Sequence, residues 1–216
     1  MEFTIERDTT LEHHGILGQK WGIRRFQLED GSLTKAGLKR YSTSPSDARI
    51  IGKGTEIHRI SNNKKDAVYD RKKYVSLTDE DNQKWLDYFK KGYGERDVQL
   101  YDVMYRPAKD LRIAPSQKLG ELFVDAMMND ENFAQQIVRD TEYAAGKLGQ
   151  TMDVDTDTAL SYNLAMQTKS GKQFVDKLIQ MGYDGVEDKH GRNVSKDPII
   201  VFDPEKNLKK KSTKMV

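Results

Sequence analysis

The sequence predicts an α+β domain preceded by an N-terminal extension. Three observations carry that prediction. Short alternating segments follow Gly54, helical spacing runs from Ser116 to Gly182, and two apolar runs of strand length close the chain like a hairpin. A chain of 216 residues can bury one sizeable core with a short appendage. The expected boundaries are a leader and linker over 1–49, a domain over 50–208 and a basic tail over 209–216.

The elements follow in order. In the leader, Asp30-Gly31 signals a turn and Thr34 can cap a short helix from Lys35, after which the small, polar "STSPSDAR" reads as a linker. "GTEIHRIS" and "KKYVSLT" alternate as strands do. "DEDNQKWLDYFKK" opens with acids suited to a helix N-terminus, places Trp85, Leu86 and Phe89 on one face, and ends near Gly92. "DVQLYDVMYRPAKDLRIA" alternates again until Pro107 stops it. Residues 116–149 read as helix from apolar spacings of three and four, and a second helical stretch stops at Gly182. "YDGVED" and "PIIVFD" then form the hairpin around the polar loop "KHGRNVSKD", and "EKNLKKKSTKMV" is expected to fray.

Composition removes several function classes. Lys and Arg total 36 against 34 Asp and Glu, so a net charge of +2 gives no global field that argues for nucleic acid as a partner. No cysteine is present, which removes disulfides, thiolate nucleophiles and cysteine-ligated zinc together. The four histidines, His13, His14, His58 and His190, include no pair at helical metal-binding spacing, so no metal is expected. No run approaches the roughly 20 apolar residues of a membrane span, and a soluble protein without a membrane partner is expected.

Three features carry chemistry: Arg59 inside the first alternating segment, Ser76-x-Thr78 on the second, and a carboxylate-bearing loop before the last strand. An inward arginine can hold a pyrophosphate or a ribose through directional, charge-assisted hydrogen bonds, and neighbouring hydroxyls can orient a sugar. Neither a dinucleotide-type G-x-G-x-x-G after a strand nor a phosphate-cradling G-x-x-x-x-G-K is present. Taken singly, each group has a plainer use. Arg59 suits a strand surface, Ser76 and Thr78 are ordinary strand hydroxyls, and "GYDGVED" serves equally as a helix stop with Gly182 as its cap and Gly185 allowing a tight approach. His58 points away from Arg59 if the segment is a strand, and Trp85, Tyr88 and Phe89 read as core or rim, with Tyr88 also able to stack on a base.

In their order along the chain, "EIHRIS", "YVSLTDED…WLDYF" and "LIQMGYDGVED…PIIVFDPEKNLK" resemble the ADP-ribosyltransferase domains of bacteriophage and mobile-element proteins, over about residues 52–208. The resemblance implies an ADP-ribosyltransferase-like split β-sheet core with flanking helices. It also implies NAD as substrate, with Arg59 as the NAD clamp and Ser76 and Thr78 as the hydroxyl pair of the nicotinamide pocket. The implied reaction breaks the nicotinamide glycosidic bond through an oxocarbenium-like state stabilised by a carboxylate, and passes ADP-ribose to an acceptor of unknown identity. The family's acid falls on Asp197 or on Pro198 in "KDPIIVFDPEK". Asp197 and Glu187 are equal candidates for it, with Asp188 behind. If the position falls on Pro198, the implied alternative is a catalytically degenerate virion structural or assembly protein.

The leader "HHGILGQKWGIRRFQLEDGSLTKAGLKRY", residues 13–41, resembles leaders of phage and prophage structural and cargo proteins, which implies a virion or the bacterial host cytoplasm as its location. Ile16, Leu17, Trp21, Ile23 and Phe26 offer apolar anchors with a basic rim of Lys20, Arg24 and Arg25, a set suited to docking on a protein partner. Folding back onto the main domain is the competing use.

Overall fold

The computed structural model describes residue 45 and residues 47–66, 71–147, 149, 155–166, 168–189 and 194–216, all within the unit Ser42–Val216. The docking segment 13–41 and the helix expected after Thr34 lie outside the described residues. In chain order the elements are β1 (Arg49–Ile51), β2 (Ile57–Ser61), β3 (Lys72–Val75), α1 (Asp79–Tyr93), β4 (Tyr101–Pro107) and β5 (Leu111–Ala114). There follow α2 (Ser116–Asn129), α3 (Glu131–Lys147), α4 (Thr156–Ala165), α5 (Lys169–Gln180), β6 (Gly185–Glu187), β7 (Ile199–Phe202), α6 (Pro204–Asn207) and β8 (Leu208–Met215).

The architecture is α+β with two sheets. One has five strands in the order β1-β5-β6-β7-β3, and the other three in the order β2-β4-β8. β7 explains how they stack. Its sequence IIVF is apolar at every position and buried at every position, the signature of a strand covered on both faces. Ile200 and Phe202 point into a core shared with Phe123 of α2, Phe133 and Ile137 of α3, and Phe174 and Leu178 of α5. Ile199 and Val201 point the other way, against Ile57, Val103 and Leu208 of the smaller sheet. Period two thus divides one strand between two cores. A third apolar cluster joins α1 to the smaller sheet through Leu86, Ile60 and Leu100.

Local chemistry explains most boundaries. Thr78 caps α1 by accepting from the Asp81 backbone N–H, with Asp79, Glu80 and Asp81 in the first turn where the helix dipole favours acids. Gly182 takes φ 94 just after α5, a conformation that favours glycine. Gly185 serves close packing, since a Cβ there would lie 2.4 Å from the Ile200 carbonyl oxygen.

Four expectations are corrected. The helical stretch 116–149 is two helices, because Asp130 is extended at φ −145 and its carboxylate accepts from the Phe133 N–H, stopping α2 and capping α3. The alternating segment after Asp97 becomes strand only at Tyr101, and Val98 and Leu100 instead join the α1 cluster. The polar linker expected through 49 ends earlier, since Arg49 opens β1, which pairs with β5. The tail expected to fray is β8, hydrogen-bonded along β4 from Pro107 to Tyr101 with a bulge between Met104 and Tyr105. Beyond Leu208, most of β8 is exposed, so no apolar alternation marks it. Among the described residues no helix is long and apolar enough to cross a membrane.

Candidate functional site

Among the described residues one isolated backbone bridge joins the edges of the two sheets. His58 of β2 and Ser76, just past β3, exchange both backbone hydrogen bonds, at 2.9 and 2.8 Å. Beside this bridge lies a cavity of about 130 Å³, lined by Arg59, Ile60, Tyr74, Ser76, Trp85 and Phe89. Drug-sized ligands occupy roughly 300–1,000 Å³, so this cavity has room for about one planar ring, with any larger ligand continuing outside. Its walls are aromatic. The Trp85 ring stands 5.6 Å from Tyr74 and 6.1 Å from Phe89, centroid to centroid.

Its polar groups are few. Ser76 is 1% exposed, and among the described residues its hydroxyl has no hydrogen-bond partner. A buried, unmatched hydroxyl costs free energy, so its presence on a cavity wall points to a ligand that would use it. Arg59 donates from Nε to Asp66 at 3.1 Å and from Nη1 to the Tyr74 carbonyl at 2.9 Å. Arg59 and Ser76, named from the sequence, therefore border the same cavity. Thr78 does not border it and is engaged as the α1 cap.

The three carboxylates named from the sequence separate into two groups, and none borders the cavity. Arg49 Nη1 donates to Glu187 at 2.8 Å and to Asp197 at 2.9 Å, binding the two together. Burial pushes the Glu187 carboxyl up. The hydrogen bonds from Arg49 and the Ser116 N–H, with the charge of Lys189, outweigh burial and hold it below the usual range. Asp188 faces elsewhere, accepting from the Tyr74 hydroxyl at 2.6 Å and from Ser161 at 3.2 Å. Burial first, and then the Asp188 charge, push the Tyr74 phenol well up, so Tyr74 stays a neutral donor behind the cavity wall. The acids are nevertheless not remote. Glu187, Ile199 and Val75 form one row across β6, β7 and β3, placing the Glu187 backbone about 10 Å, two strand spacings, from the residue before Ser76.

His58 lies on the other face of β2. Its Nδ1 is 3.1 Å from Asp102, which also accepts from Asn82, a structural anchoring of α1 against the smaller sheet. Tyr88 is half exposed and contacts Trp85 and Phe89 from the rim. Among the described residues no three His, Asp or Glu side chains are placed to hold a metal ion.

Two features escaped the sequence reading. Arg49 sat at the end of an apparent linker, with nothing local to mark its pairing with residues 138 and 148 positions away. The other is a buried group around Asp66, Lys73 and Tyr105, each 5% exposed. Here a signal was available, because Lys73 shares its strand face with Val75, putting a charge in the inward phase. No family model, no curated protein and no solved structure matches this chain.

Proposed function

We propose that this domain is an NAD-dependent ADP-ribosyltransferase, a glycosyltransferase acting at the cavity between the two sheets. The observation that supports the reading best is that Arg59 on β2 and the unpartnered Ser76 hydroxyl just past β3 of the other sheet border one aromatic cavity sized for a single ring. The nicotinamide ring would sit among Tyr74, Trp85 and Phe89, with Arg59 directed to the pyrophosphate and Ser76 to the carboxamide or ribose. In the reaction the C1′–N bond breaks with its electron pair leaving on nicotinamide, an acceptor nucleophile bonds to C1′, and the acceptor's proton is released. Asp197 or Glu187, both held by Arg49, supplies the carboxylate that stabilises the cationic sugar. The resemblance of the leader extends the proposal to a protein carried with a virion or acting in the bacterial host cytoplasm, with 13–41 docking on a protein partner.

A second reading has its own observation. Because Glu187 and Asp197 share Arg49 and among the described residues no carboxylate borders the cavity, the domain also fits a transferase relative that has lost catalysis and serves virion structure or assembly. Labelled NAD with a host lysate separates the two. The transferase reading expects nicotinamide release and label transfer, both lost in Arg59→Ala and in one of Asp197→Ala or Glu187→Ala. NAD-dependent thermal stabilisation without turnover selects the second reading, and neither binding nor turnover sinks the first.

A further inference from the structure

We propose that Asp66 is a positioning residue for Arg59, set in place by Lys73 and Tyr105, so that the guanidinium presents its remaining edge to an anionic ligand group; the inference rests on the reading of the cavity as a nucleotide site. Asp66 adopts φ 47, a left-handed conformation that non-glycine residues enter at a cost. Both oxygens of its side chain are engaged. One oxygen accepts from Arg59 Nε at 3.1 Å, and the other accepts from Lys73 Nζ at 2.6 Å and from the Tyr105 hydroxyl. Lys73 is equally committed, its three protons going to the Asp66 carbonyl, the Asp66 carboxylate and the Tyr105 oxygen.

Arg59 is thus held along two edges, by Asp66 at Nε and by the Tyr74 carbonyl at Nη1, while Nη2 makes no hydrogen bond among the described residues. Two cations face one carboxylate here, leaving a positive excess at the cavity side of the cluster. Buried pairs of this kind are seldom needed for stability, since apolar residues of similar volume do as well, so a network ending on a cavity arginine points to fixing its geometry. The charges support the same arrangement. Burial pulls the Lys73 ammonium down. At Asp66 burial acts upward, but the Arg59 charge and the bonds from Lys73 and Tyr105 outweigh it and hold the carboxyl low.

The test measures the binding of NAD and of inorganic pyrophosphate to the full chain by calorimetry. Asp66→Asn alone leaves Lys73 without its counter-charge and can unfold the domain. The informative variant is therefore Asp66→Gly with Lys73→Met and Tyr105→Phe, which removes the buried charges together and suits the left-handed position, leaving without their partners only the part-exposed Arg59 Nε and the carbonyl of residue 66. It is expected to fold and to bind both probes roughly tenfold more weakly or worse, the loss of an oriented charge-assisted contact. The pair Asp66→Asn/Lys73→Met keeps an acceptor oxygen for Arg59 and is expected to restore most of the affinity, which a purely structural role would not require. Wild-type affinity in the folded triple variant overturns this inference alone, whereas a wild-type protein binding neither probe overturns the nucleotide reading with it. A third measurement needs no ligand. The Arg59 Nε–H resonance, assigned with Arg59→Lys, is expected to be protected from exchange, and rapid exchange overturns the proposal.

Discussion

Replacing Arg49 by methionine keeps much of its aliphatic length and removes the guanidinium that joins Glu187 to Asp197. The two arms differ in worth. The Asp197 side chain is 24% exposed and meets an arginine that is itself 38% exposed, so that arm is a surface pair worth about 0–1 kcal/mol. The Glu187 side chain is 9% exposed, and a hydrogen bond from a charged donor to a buried group contributes about 1.5–3 kcal/mol. Together they predict a loss of about 1.5–4 kcal/mol near neutral pH, or roughly 3–16 °C in Tm for a domain of this size. The folded-state pKa of Glu187 lies below its ordinary value, so its contribution is full above the unfolded value and disappears as pH falls through the folded one. Urea unfolding of both proteins at about pH 7 and about pH 3, where free carboxyls are mostly protonated, should show the gap narrowing in acid. A gap of equal size at both pH values would assign the loss to packing, and no gap at neutral pH would refute the reasoning altogether.

Three further outcomes follow from the packing and the caps. Phe174→Ala removes a buried ring set 5.2 Å from Phe123 and 6.4 Å from Phe133, and denaturant titration should read a loss of about 3–5 kcal/mol. Gly185→Ala forces a methyl to 2.4 Å from the Ile200 carbonyl and 2.9 Å from Ile113, so β6 must shift; a Tm unchanged from wild type would contradict the described register. Thr78→Ala should cost about 1 kcal/mol through its lost cap on α1, with Thr78→Ser restoring most of it in thermal melts.

What the sequence disclosed follows the range over which each signal acts. Period-two alternation found β2 and β3, acids after Thr78 found the start of α1, and glycines at 182 and 185 marked a real helix stop and a real close contact. These are local effects. Arg59 and Ser76 could be paired because one sits on a strand and the other one residue past a strand whose phase is readable, and both border one cavity. Thr78 shares that phase, but the chain turns into α1 before its hydroxyl can follow Ser76. The carboxylates were harder. Glu187 and Asp188 are neighbours at a strand end, so their side chains diverge, one to Arg49 and the other to Tyr74 and Ser161. Which one turns toward which partner depends on β1 and α4, and neighbouring residues carry no record of that choice. β8 went unseen for a related reason, since a strand with polar side chains on most positions leaves no hydrophobic rhythm.

That strand has a consequence for the molecule in a crowded solution. Among the described residues β8 is the outermost member of its sheet, the position where a second chain's backbone could zip on. Lys209, Lys210, Lys211 and Lys214 stand along it, all exposed, and an approaching copy would bring its own ammonium groups against them before any amide could bond. Exchanging these four for valine or threonine removes that repulsion and raises the tendency of this margin to pair with another chain.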